Sequence, residues 1–208
     1  YRRQRQMCIR DSNTTGTNNV ALGYRAVVAN IGGSYNVGIG TQALESSVSG
    51  SGNTAVGFQS LNKTTGSSCT AVGEASLQAN TASNNTAMGY QALTQNTTGT
   101  PCDAFGVYAL FSNTTGVNNT AVGYRAQAGN TTGQGNVAIG VSASDANQTG
   151  SNNVAVGYIA LQNNTANDNV AIGPGVLNQN TTGTANVAIG SGQTGATWAA
   201  MRNNTTGS

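Results

Sequence analysis

Beyond a twelve-residue leader the chain carries five carboxylates, Glu45, Glu74, Asp103, Asp145 and Asp168, two cysteines, Cys69 and Cys102, and no histidine. Paired-carboxylate hydrolysis needs two such groups within about 10 Å. None of the five pairs: Glu45 and Asp145 occupy equivalent repeat positions but stand six repeats apart, roughly 29 Å at the spacing of stacked strands. Zinc would need clustered Cys and His, and calcium the Asp-bearing glycine nonapeptide of β-rolls; neither pattern occurs. Cys69 and Cys102 sit two repeats apart, with Cα atoms about 9.5 Å from each other, beyond disulfide reach. No catalytic residue, metal or cofactor is therefore expected, and the chain is read as non-enzymatic. Asparagine offers other chemistry, because Asn-x-Ser/Thr acceptors for glycans recur at Asn13, Asn62, Asn96, Asn113, Asn130, Asn147, Asn163 and Asn180, most of them in one turn column.

The elements that hold these residues are legible from one periodicity. Glycines at 23, 40, 57, 73, 89, 106, 123, 140, 157, 173 and 190 recur every 16 or 17 residues, each closing an Asn-Val/Thr-Ala-aliphatic-Gly pentad. We count positions from each of these, Gly23, Gly40, Gly57, Gly73, Gly89, Gly106, Gly123, Gly140, Gly157, Gly173 and Gly190, as zero. Self-similarity at a short fixed period marks a solenoid. Position −1 is apolar in every repeat, −2 is Ala in all but one, and −3 is Val, Thr or once Asp103. Side chains alternate across a strand, which predicts −3 and −1 facing a core and −2 with the glycine facing the opposite, small-residue side. A second apolar column at +4, largely Leu and preceded by Ala or Ser, predicts a second strand. Asn-Thr-Thr-Gly then supplies a tight turn. The expected fold is an all-β solenoid, or β-roll, of about eleven coils with two short strands each, a rod roughly 50 Å long.

Position −4 is asparagine in nine coils: Asn19, Asn36, Asn53, Asn85, Asn119, Asn136, Asn153, Asn169 and Asn186. Stacked in register, they are expected to form a structural ladder bonded amide to amide, with Cys69 and Cys102 as small fillers. Position +1 is aromatic in alternate coils, at Tyr24, Phe58, Tyr90, Tyr124 and Tyr158, which suggests a two-coil ancestral unit and a packing seam or binding stripe for a glycan or protein partner.

Three segments follow: residues 1–12, a foreign basic leader read as translated adapter sequence or a disordered arm; 13–190, the solenoid; and 191–208, an irregular cap or the start of a further segment. Charge does not point to nucleic acid. Without the leader, Arg25, Lys63, Arg125 and Arg202 face the five carboxylates, a net of −1. No apolar run approaches the roughly 20 residues of a membrane span, so no membrane insertion is expected. The chain reads as a piece of a longer protein.

The Asn-Val-Ala-Ile-Gly pentads at 136–140, 169–173 and 186–190 resemble the head repeat of trimeric autotransporter adhesins, and similar repeats occur in phage tail fibres. The likeness covers residues 13 to 190. It implies a left-handed β-roll, three chains about one axis with the small-residue strands inward, and display on a cell surface or virion as an adhesive spike. Composition points to self-association independently, since so thin a core gains by burial against copies. The leading expectation is an extracellular fibre segment, a surface adhesin or tail-fibre shaft. The others are a self-assembling, glycosylated filament built end to end, and an ice-binding solenoid.

Overall fold

The computed structural model describes residues 13–191, and the leader and nearly all of the expected cap lie outside them. The fold is a β-solenoid of about ten turns, and no helix occurs among the described residues. Eleven strands follow one another: β1 (Val20–Leu22), β2 (Val37–Ile39), β3 (Thr54–Val56), β4 (Thr70–Val72), β5 (Asn85–Met88), β6 (Cys102–Phe105), β7 (Asn119–Val122), β8 (Val137–Ile139), β9 (Val154–Val156), β10 (Val170–Ile172) and β11 (Val187–Ile189). They form one parallel sheet in sequence order. Equivalent residues lie side by side, Val20 against Val37 and Thr54 against Thr70, so the 17- and 16-residue spacings become one register.

Each strand ends at its repeat glycine for a steric reason. At Gly123 φ is +133°, and a Cβ would lie 2.6 Å from the carbonyl oxygen of Gly140 in the next coil. The close approach that these glycines permit is thus to the neighbouring coil of the same chain.

Two expectations are corrected. The first concerns the faces of the strand. Alanine at −2 is the buried residue, for example Ala55, Ala71, Ala104 and Ala138, all without exposure, while −3 and −1 point outward. Parity with the buried asparagine at −4 explains this, because −4 and −2 share a face. The interior is too narrow for Val or Ile from the strand, since the opposite limb already inserts Leu.

The second correction concerns that limb, which is not a strand. Residues at +2 and +4 have positive φ, including Gln42 (60°), Leu44 (52°), Leu61 (46°), Leu93 (53°) and Leu161 (49°). Alternating hands turn two consecutive residues inward: Ala43 with Leu44, Ala92 with Leu93, and Ala160 with Leu161 are all fully buried. A strand, which sends neighbours to opposite faces, cannot do this. A left-handed Leu costs about 1–2 kcal/mol. Burying its side chain returns about 1.5–3 kcal/mol, so burial wins. The backbone remains paired from coil to coil, with Val27 N–H donating to Ala43 O (2.9 Å), Ala29 to Glu45 O (3.0 Å) and Gln42 to Tyr24 O (2.8 Å).

Candidate functional site

The asparagines at −4 stack into a ladder, interrupted at Cys69 and Cys102 and buried from Asn36 onward, but its bonds differ from the expected amide-to-amide chain. From Asn19 to Asn169 each Oδ1 accepts the −4 backbone N–H of the following coil, as in Asn36 N to Asn19 Oδ1 (2.9 Å) and Asn169 N to Asn153 Oδ1 (3.0 Å). Over the same span each Nδ2 donates to the next turn carbonyl, as Asn36 does to Gly50 O (2.8 Å) and Asn85 to Gly99 O (2.9 Å). Direct amide pairs reinforce it at Asn136 to Asn119 (3.2 Å) and Asn186 to Asn169 (2.9 Å).

Cys69 and Cys102 take over the donor half of this role. Their thiols donate to the turn carbonyls of Ala82 and Gly116, both at 3.3 Å. Both are free and buried. Burial raises both thiol pKa values, Cys102 to about 11, so neither is a thiolate near neutral pH.

A second ladder, at +7, was not foreseen, and it carries the amide-to-amide bonding. Asn96 donates to Asn80 Oδ1 (2.7 Å), Asn113 to Asn96 (2.8 Å), Asn130 to Asn113 (2.7 Å) and Asn180 to Asn164 (2.7 Å). This corrects the reading of the turn asparagines as an outward row of glycan acceptors. Asn96, Asn113, Asn130, Asn147 and Asn180 have no exposure, and the Nδ2 that a glycan would occupy donates inward. Asn62 is also buried, bonded to the Glu45 carboxylate. Asn13 and Asn163 alone of the eight are partly open.

The +1 aromatics Tyr24, Phe58, Tyr90, Tyr124 and Tyr158 are exposed. Between Tyr90 and Tyr124 stands a ring that sequence reading passed over. Tyr108 meets Tyr90 edge to face at 5.4 Å, Tyr124 at 6.4 Å and Phe111 at 5.6 Å.

That aromatic group opens onto a cleft of about 550 Å³ on the turn limb. Tyr108 and Phe111 line one end, Asp145, Gln162 and Asn163 the other, and Arg125 also borders it. Its depth comes from Ala128, small where the same column carries Phe111 and Asp145 in the flanking coils, and from Gly129 beside it. Arg125 grips Asp145 with two prongs, Nε to Oδ2 at 3.1 Å and Nη2 to Oδ1 at 3.4 Å. Beneath, Gln127 replaces leucine in the buried +4 column; its amide donates to Asn119 Oδ1 (3.3 Å) and its own oxygen has no partner.

No group of three or more His, Cys, Asp or Glu residues that could hold a metal occurs among the described residues. No helix there is long and apolar enough to cross a membrane. Fold and site together define a β-solenoid repeat protein with an internal asparagine scaffold and one aromatic, polar-ended cleft. No family model, no curated protein and no solved structure matches this chain.

Proposed function

We propose that this chain is a non-enzymatic segment of an extracellular fibre, a surface adhesin or tail-fibre shaft, in which the strand face is covered by further copies of the same chain. The observation that carries the reading is the outward aliphatic sheet. Along −1, Leu22, Met88, Ile139, Ile172 and Ile189 are 54, 42, 41, 38 and 67% exposed, and Val at −3 stands beside them. A continuous apolar surface of this kind marks an interaction site. Its occupant is best a symmetric copy, because only another rod of the same period repeats the same row of knobs along its whole length. The pentad resemblance to trimeric adhesin heads supports this arrangement, with the aliphatic strand face, rather than the alanine side, turned to the shared axis.

Light scattering on the purified chain tests it. The expected mass is a trimer or larger, falling to a monomer in the double substitution Ile139→Asp and Ile172→Asp. A monodisperse monomer at micromolar concentration would overturn the reading.

A second reading is an end-to-end filament, in which the parallel sheet, whose strands stack along the rod in sequence order, continues from one copy into the next. Negatively stained material would then show long fibrils instead of short rods. Ice binding draws less support: the outward −3 column mixes Thr with Val, and the −1 column has no Thr.

A further inference from the structure

We propose that the cleft between Phe111 and Asp145 binds the ring of a neutral saccharide. Four observations converge on that chemistry. The volume, about 550 Å³, lies within the range of small-molecule sites. One end presents Tyr108 and Phe111, whose rings hold each other edge to face, an apolar wall already immobilised before a ligand arrives. The other end carries hydrogen-bonding capacity that the chain does not use. Gln162 lines the cleft, and among the described residues its side-chain amide has no hydrogen-bond partner.

Asp145 supplies the fourth and strongest observation. Its side chain is 13% exposed, nearly as buried as that of Glu45 at 11%, which holds the equivalent place near the other end of the rod. Glu45 receives Arg25, Gln42 (2.8 Å) and Asn62 (3.0 Å), whereas among the described residues Asp145 receives Arg125 alone. A buried carboxylate has about four acceptor positions to fill, and two remain open beside the cleft.

Ligand class follows from charge and polarity. Arg125 and Asp145 cancel, so the site has no net field to select a phosphate or another anion. A lone carboxylate is too few ligands for a cation. A purely apolar guest would leave Asp145 and Gln162 desolvated and unpaired. A pyranose satisfies both ends at once: its C–H face lies against the aromatic wall, and its hydroxyls donate to Asp145 and exchange bonds with the Gln162 amide. The cleft lies two to six residues past the repeat glycines, off the strand face, so it stays open when copies cover that face.

This deepens the adhesive reading above, yet the two fail separately. A chain that assembles but binds no sugar overturns the cleft alone, and one that binds sugar as a monomer overturns the assembly alone.

The test is saturation-transfer NMR of the whole chain with methyl β-galactopyranoside, methyl α-mannopyranoside, methyl β-glucopyranoside and N-acetylglucosamine, each at millimolar concentration. At least one is expected to receive saturation on its ring C–H protons. Ala128→Leu, which fills the cleft, should reduce that signal at least fivefold while the circular dichroism spectrum is retained. Val28→Leu, at the equivalent position in the first coil, should leave it unchanged. Should Ala128→Leu fail to fold, Gln162→Ala decides, with an expected loss of threefold or more. No transfer to any of the four sugars, or transfer that survives the deciding substitution, overturns the proposal.

Discussion

Arg25 with Glu45 and Arg125 with Asp145 occupy the same two columns of the solenoid, at +2 of one coil and +5 of the next, yet they build different surfaces. Around Glu45 the neighbouring columns supply Gln42 and Asn62, both of which donate to the carboxylate, and the patch is closed. Around Asp145 the same columns supply Ser142 and Gln162, neither bonded to it, while Ala128 and Gly129 stand where the first region has Val28 and Ala29. The difference teaches that in a stacked fold a site is not a motif along the chain. It is a pattern across columns, written one residue per coil, and a single scaffold can carry a sealed polar patch and an open cleft.

The largest expected effect should be shared by both regions, because it attacks the scaffold. Gly23→Ala and Gly123→Ala each place a Cβ 2.6 Å from the next coil's carbonyl oxygen at φ of +135° and +133°. Each should cost about 3–5 kcal/mol in urea unfolding, from backbone strain plus overpacking. A tolerant member of the pair would show that the two regions differ in backbone as well as side chains.

Next comes the buried column beneath. Gln127 and Val27 are equivalent, both within the core, and Gln127 leaves its amide oxygen unpaired. Gln127→Leu should stabilise the chain by about 1–3 kcal/mol, and Val27→Gln should destabilise it comparably, as read from denaturation midpoints. A Gln127→Leu protein no more stable than wild type would remove the polar core as a distinction between the regions.

Smaller still is the carboxylate itself. Glu45→Ala removes a hydrogen bond from each of two amide groups and should cost about 1–2 kcal/mol, whereas Asp145→Ala, losing only a half-exposed arginine, should cost less than about 1 kcal/mol. Equal losses would mean that the Asp145 site is as fully bonded as its counterpart. The smallest effect is none at all: Cys69 and Cys102, in the coils between the two regions, should resist iodoacetamide at pH 8 in the folded chain, since burial raises both thiols above their ordinary pKa, Cys102 to about 11, and shields them from the reagent. Rapid labelling, located by peptide mapping, would show that the stack joining the regions opens.

The stacking itself was readable from the sequence, because the pentad and its glycine impose one register on every coil. The facing of the strand was misread, although the clue was present. Asn53 and Ala55 share parity, and the regularity of asparagine at −4 marks a buried, fully bonded column rather than an exposed one. The second limb was misread for a related reason. Ala43 and Leu44 are consecutive apolar residues, which alternation forbids in a half-buried strand, but the tendency of leucine to avoid positive φ hides the solution that the chain adopts. Sugar acceptors were inferred along the turn because Asn113-Thr114-Thr115 reads the same whether its amide points out or in. The cleft was not legible, since Phe111, Ala128 and Asp145 are 17 residues apart and meet only after the coils are in register.

The hydrogen bonds that join coil to coil have a mechanical consequence. Strand, limb and both asparagine columns all bond along the axis of the rod, so tension applied end to end falls directly on those bonds and the chain should peel one coil at a time. Each release of 16 or 17 residues would lengthen the tether by about 50 Å, giving an evenly spaced sawtooth in a force-extension trace. Such a rod behaves as a row of small, identical shock absorbers, yielding locally under load and able to restack when the load is withdrawn.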